Sequence, residues 1–287
     1  MDKRIEDYLR YLRYERNYSP ETVRSYRDDL CYFEDFVTSR RGTFDVTQFD
    51  IADVRAWMAD MLQRGMKSRT VTRRFCALRR FYHYLRVLGL TDFNALELLR
   101  APKVEKPLPV WLRDDEMEAL LDADDYADDL EGVRDRMLLE LFYQTGLRRS
   151  EVAGLHDSDI DLAARQLCVL GKGNKMRYVP MGEGLVRLIG RYIELRDAEV
   201  DRDDDSLVVS RKGRPLSGAS IYGIVRARML TLPRLAKHGP HVLRHTFATT
   251  MLGHGADLMT VKELMGHSSL AATEVYTHLT PQEILKN

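Results

Sequence analysis

The sequence predicts two domains: an all-α helical bundle over residues 1–100, and a mixed α+β, mainly helical domain with a small antiparallel sheet over 111–287. A linker at 101–110 joins them. Three observations carry this reading. Apolar residues recur at helical spacing through the first hundred positions. Pro102, Pro107 and Pro109 crowd the junction, where each blocks helix continuation. Two apolar runs flank the glycine-bracketed turn Gly171-Lys172-Gly173-Asn174-Lys175, the pattern of a hairpin. A chain of 287 residues is long enough for two separate cores.

The first domain reads as four helices and a short fifth. Ile5, Leu9 and Leu12 form one stripe. Ser19 followed by Pro20 is a helix start, leading into Val23, Tyr26, Leu30, Phe33 and Val37. Thr47 opens a third helix carrying Ile51, Val54, Met58 and Met61, and Gly65 ends it. In the fourth, Val71, Phe75, Leu78, Tyr82 and Leu85 fall on one face, and Arg69, Arg73 and Arg80 nearly opposite. Beyond the linker, helices are expected near 115–122 and 133–145, then strands over 160–170 and 176–181. Residues 207–210 are a candidate third strand, Gly146 ends the helix near 133–145, and the remainder is helical, with the capping box Thr260-Val-Lys-Glu263 opening a helix that stops at Gly266.

The formal net charge is zero, with 44 basic and 44 acidic residues, but the charge is sorted along the chain. Residues 67–86 hold seven basic side chains and no acidic one, whereas 114–131 hold ten carboxylates and no Lys or Arg. A local positive face is therefore compatible with overall neutrality. No apolar run approaches the roughly 18 residues a membrane span needs, and the N-terminus lacks a signal-peptide core, so a soluble, cytoplasmic protein is expected. Cys31, Cys76 and Cys168 are odd in number and far apart, which favours reduced, buried thiols over a disulfide framework or zinc knuckle.

Chemistry concentrates late in the chain, in His241-Val-Leu-Arg244-His245, Gly266-His267-Ser268 and Tyr276, with Gly146-Leu147-Arg148 far upstream. Two arginines suit an anion that carries charge on two non-bridging oxygens, because the guanidinium fork stays ionised and bidentate. Histidines and a tyrosine add proton transfer and a nucleophile. Two metal readings fail. His241 and His245 have zincin spacing, but Val242 stands where the glutamate base belongs. Asp157, Asp159 and Asp161 imitate a calcium loop, but Leu162 and Cys168 occupy its glycine and glutamate positions. No metal or other cofactor is expected.

The order Arg148, Lys172, His241, Arg244, His267, Tyr276, in the settings Thr-Gly-Leu-Arg-Arg-Ser-Glu, Gly-Lys-Gly-Asn-Lys, His-Val-Leu-Arg-His-Thr, Leu-Met-Gly-His-Ser-Ser and Val-Tyr-Thr-His, resembles the tyrosine recombinase (phage integrase-like) family. Within it the short Xer-type site-specific recombinases are the nearest in look, and the resemblance covers nearly the whole chain. It implies a SAM-like core-binding domain followed by a catalytic domain. It also implies that Tyr276 attacks a DNA phosphodiester to leave a 3′-phosphotyrosyl link, without ATP or metal. Arg148 and Arg244 would hold the phosphate, His241 and His267 serve the tyrosine proton, and Lys172 protonate the leaving oxygen. Arg69, Arg73 and Arg80 would then contact DNA phosphates. The implied partner is a double-stranded recombination site held by a homotetramer, or by a heterotetramer with a paralogous recombinase, with room for an activating partner protein. Chromosome dimer resolution is the role the Xer likeness implies. Thr280-Pro281-Gln282-Glu283 reads as a helix start with scarcely one turn before Asn287, shorter than the family's exchanged C-terminal helix. A type IB topoisomerase, an integrase of a mobile element and a non-catalytic DNA-binding protein on the same scaffold are the competing readings.

Overall fold

The computed structural model describes every residue except 47–49, 93–94, 105–109, 123–125, 172–174 and 267–287. The chain forms two compact units, Met1–Lys106 and Pro107–Asn287.

In the first unit, α1 (Lys3–Arg10) passes into a π-helical turn, Tyr11–Glu15, and α2 (Pro20–Arg41) starts where the Ser19 hydroxyl accepts from the Thr22 N–H. α3 (Ile51–Gln63) is opened by Asp50 and Asp53 in a reciprocal capping box, three residues later than the Thr47 start expected from the sequence; Thr47 itself lies outside the described residues. α4 (Ser68–Val87) follows, and the expected fifth helix is a single 3₁₀ turn, Ala95–Glu97. The helical stripes meet in one core. Trp57 of α3 is fully buried against Phe33 of α2, their rings 4.9 Å apart and nearly perpendicular, and Phe75, Leu78, Phe81 and Leu85 close the seam from α4.

The second unit adds α5 (Asp114–Leu121), α6 (Leu130–Thr145), α7 (Arg149–Ala153), α8 (Glu183–Glu199), α9 (Gly218–Met229), α10 (Pro240–Gly253) and α11 (Leu258–Met265). Its sheet is antiparallel in the order β1 (Ile160–Asp161), β2 (Gln166–Leu170), β3 (Met176–Pro180). The single strand expected over 160–170 is thus two, because residues 162–165 turn, with Arg165 at φ 54°. Residues 207–210 add no strand; they contribute one isolated bridge, Val209 to Pro215, their backbone being drawn instead to Tyr192 and Leu155. α6 is the central element, burying Met137, Leu138, Leu141 and Phe142 against Leu185, Ile189 and Tyr192 of α8 and Leu243 of α10. A smaller cluster of Phe247, Ala248, Val261 and Met265 seats α11 on α10.

The inward face of the sheet carries a charge among its apolar side chains. On β2, Leu167 and Val169 point to the core, and across from them on β3 stand Val179 and Arg177. Alternation therefore turns an arginine inward from a strand whose other face exposes Met176 and Tyr178. Cys31, Cys76 and Cys168 are free thiols, but each is only half-buried, not fully buried as their spacing suggests.

Candidate active site

Arg148 lies where α6 stops and α7 begins. The stop is enforced by Gly146, whose φ of 60° is left-handed and whose missing Cβ would lie 2.4 Å from the Phe247 ring. The Arg148 backbone N–H then donates to Glu151 Oε2 at 2.7 Å, capping α7, and its Nη1 donates to Glu151 Oε1 at 2.8 Å. Nη2 donates across the unit to the Gly266 carbonyl at 2.6 Å.

Arg244 is set by α10, one turn after Pro240, and is 3 % exposed. Its Nη1 donates to the Gly146 carbonyl and its Nη2 to the Met265 carbonyl at 2.7 Å. Two arginines 96 positions apart in sequence thus bond to adjacent carbonyls at the end of one short helix. His241 stands one turn before Arg244 on the same helix, its ring edge-on to His245 with centroids 4.2 Å apart. Protein packed around the His241 ring, and then the charges of Arg244 and Lys237, hold its proton affinity below the ordinary histidine value. His241 is neutral at pH 7 and able to accept a proton.

α11 supplies the surface these groups converge on. Asp257 caps its start, accepting from the Met259 and Thr260 N–H groups at 2.9 and 3.0 Å, so the helix begins at Leu258 and not at the Thr260-to-Glu263 box the sequence suggests. Gly266, at φ 62°, ends it. A helix C-terminus leaves carbonyls without intrahelical donors and carries partial negative charge. Here the Leu264, Met265 and Gly266 carbonyls each receive an arginine: Arg177, Arg244 and Arg148.

Glu151 and Arg177 are the members that sequence reading missed. Glu151 is buried and accepts from Arg148 and from both terminal nitrogens of Arg177, at 3.0 and 2.9 Å. Burial pushes its carboxyl up, but the Arg177 hydrogen bonds, the Arg148 N–H and the two arginine charges more than reverse this, leaving it below the usual range. The available signal for Glu151 was its place three residues after Arg148 at a helix start; for Arg177 it was a charge at an inward strand position. Arg148 and Arg177 pair with Glu151 while Arg244 donates to carbonyls, so among the described residues three guanidinium groups meet one carboxylate and the cluster keeps excess positive charge suited to an anion.

The structure brings Arg148, His241 and Arg244 into one cluster with α11. Lys172, His267 and Tyr276 lie outside the described residues; in sequence, Lys172 precedes β3 and His267 follows Gly266 directly. The aspartates that imitate a calcium loop have other partners: Asp157 pairs with Arg196 and Arg202, Asp159 accepts from the His156 N–H, and Asp161 accepts from the Ala164 N–H at 2.7 Å.

In the first unit, Arg69 is exposed, whereas Arg73 and Arg80 reach across to α2. Arg73 pairs with buried Asp29 and donates to Ser25; Arg80 donates to the Tyr26 hydroxyl. The α4 row therefore does have an acidic partner, on the neighbouring helix and not on its own, because Asp29 lies on the side of α2 that packs against α4.

No helix among the described residues is long and apolar enough to cross a membrane. Residues 110–283 match the phage integrase family, and residues 5–87 match its N-terminal SAM-like domain. The tyrosine recombinase XerC of Staphylococcus epidermidis is 37 % identical over 286 residues, covering 100 % of this chain and 96 % of its own length. The XerC of Chlorobaculum tepidum is 35 % identical, covering 96 % and 90 %. Among solved structures, the XerA recombinase is similar at 27 % identity and a TM-score of 0.56, over 99 % of this chain and 97 % of that one. The XerH site-specific recombinase in a post-cleavage complex with its difH substrate shares the fold, with a TM-score of 0.79 at 24 % identity over 98 % and 82 %. With these matches spanning both units and the arginine cluster in the second, the chain belongs to the phage integrase family and is a tyrosine recombinase, an enzyme that cuts and rejoins DNA.

Proposed function

We propose that the chain is a Xer-type recombinase that resolves chromosome dimers, working in the cytoplasm as a tetramer on two DNA sites, with Tyr276 as its nucleophile. The observation that carries the chemistry is the meeting of Arg148 and Arg244 on consecutive carbonyls at the end of α11, beside neutral His241. The two arginines hold the non-bridging oxygens of the scissile phosphate, where charge grows as the fifth oxygen approaches phosphorus. The Tyr276 hydroxyl forms the new P–O bond as its proton leaves for His241 or His267, since a phenol is largely protonated at neutral pH. The P–O5′ bond breaks, Lys172 delivering a proton to the departing oxygen. The 3′-phosphotyrosyl link then keeps the bond energy for attack by a free 5′-hydroxyl, so neither ATP nor metal enters. Arg69, Arg73 and Arg80 of α4 contact the backbone of the bound duplex.

A nicked suicide duplex that loses its 5′ fragment tests the nucleophile. Wild-type protein accumulates a covalent complex and Tyr276→Phe does not; capture by Tyr276→Phe would overturn the assignment. Lys172→Ala slows cleavage by ~10²–10⁴, the span of a general acid. It recovers most of that rate when sulfur replaces the bridging 5′ oxygen, a leaving group needing no proton. Equal rescue of Arg148→Ala by sulfur would demote Lys172 to a phosphate contact.

A further inference from the structure

We infer that Arg177 is a positioning residue for strand cleavage, holding Arg148 and the end of α11 in one register through Glu151 and the Leu264 carbonyl. The inference rests on the reading of Arg148 as a phosphate-holding residue.

Arg177 spends donors on two targets at once. Its Nε donates to the Leu264 carbonyl at 2.9 Å, and Nη1 and Nη2 donate to Glu151 Oε1 and Oε2 at 3.0 and 2.9 Å. Its side chain is 14 % exposed, so it is built into the wall of the cluster and is not presented to a phosphate. Glu151 bonds on its other side to Arg148, whose remaining arm reaches the Gly266 carbonyl. The circuit runs β3, α11, Arg148, α7 and back to β3, and Arg177 is the one member touching both the strand and the helix end.

Sterics tighten it. A Cβ at position 266 would sit 2.9 Å from Arg177 Nη1 and 3.0 Å from its Cζ, so the helix ends directly against the guanidinium plane. The two segments that Arg177 ties together each continue toward an assigned residue: β3 is preceded in the chain by Lys172, and Gly266 is followed by His267. Lysine cannot reproduce this bridge, since a point donor does not span a carboxylate and a carbonyl in one plane.

The test compares full-length Arg177→Lys and Arg177→Gln with wild type in single-turnover cleavage of the suicide duplex, alongside duplex affinity and thermal melting. Both variants should bind DNA within about twofold of wild type while cleaving ~10–10²-fold more slowly, the scale of an ångström-level misplacement. Arg177→Gln should also acquire an acid limb. Without its bidentate partner, buried Glu151 takes up a proton more readily, so cleavage falls as pH drops through that raised value, a further fall on top of the one that protonation of the histidine base gives wild type and variant alike. The double variant Arg177→Gln with Glu151→Gln should lose the limb. Loss of folded protein alone would lower the amplitude and leave the profile's shape unchanged, and Arg177→Lys, which keeps the charge and stem, serves if Arg177→Gln does not fold. Wild-type rate and profile in both variants, or a fall in affinity matching the fall in rate, would overturn the inference while leaving Tyr276-dependent capture intact. Capture that persists in Tyr276→Phe would instead sink the functional reading.

Discussion

The two units each gather arginines, and they hold them differently. On α4 of the first unit, Arg73 is half-exposed and leans on one buried carboxylate, Asp29, while Arg80 leans on a phenol and Arg69 stands in solvent. In the second unit Arg244 is almost fully buried, and Arg148 and Arg177 interlock through Glu151, all three ending on successive carbonyls of α11. A row on a helix surface can follow a DNA backbone at many angles, because long, partly exposed side chains with few contacts can swing. A transition state tolerates little misplacement, so its arginines are fixed by several bonds before substrate arrives. Under the function proposed above, adaptable binding and fixed catalysis use one residue type at opposite ends of its conformational freedom.

If that contrast is right, the largest effect comes from Arg244→Ala. Cleavage should fall by ~10²–10³, as for loss of one preorganised donor to the developing charge. Melting temperature should fall as well, since the buried Gly146 and Met265 carbonyls lose a donor, at ~1–3 kcal/mol for each group left unsatisfied. Arg148→Ala, at a site one-third exposed, should match it in rate but cost less stability. Equal melting of the two would break the distinction drawn from burial.

Glu151→Gln should act more mildly, slowing cleavage by ~10-fold through looser arginines. It also carries a pH signature. The Glu151 carboxyl is held below its ordinary value in the folded protein, so its contribution is fully present above the unfolded value, near ~4.3, and is lost as pH falls through the lower folded one. The melting gap between wild type and Glu151→Gln should therefore be widest at neutral pH and close below about pH 4. A gap that stays constant on acidification would contradict the pairing.

The smallest effects belong to the first unit. Burial raises the Asp29 carboxyl above its usual range despite Arg73 and Arg74, so ionised Asp29 is penalised in the fold and Asp29→Asn should leave stability little changed. It should also release Arg73, steepening the log-affinity versus log-salt plot by about one unit. Arg69→Ala should flatten that plot by about one unit, and Arg73→Ala by less, because Asp29 already offsets its charge. Equal slopes for Arg69→Ala and Arg73→Ala would mean the ion pair opens on binding.

Periodicity alone determined the helical stripes of α2 and α4, because which face of a helix is apolar is a local property of spacing. Gly146 and Gly266 likewise announced helix ends, as left-handed positions that other residues avoid. Motif order gave Arg148, His241 and Arg244. What tertiary structure decided was partnership. That Arg73 meets Asp29 depends on how α2 and α4 pack, and no window along α4 contains the acid. The start of α11 moved because Asp257 reached two N–H groups where the Thr260 box offered a competing cap of the same kind. Most of all, the sequence marks Arg177 only as a charge at an inward strand position, and nothing near it in the chain names its partners. Its role exists only because strand alternation turns it inward, toward a carboxylate 26 residues earlier and a carbonyl 87 residues later.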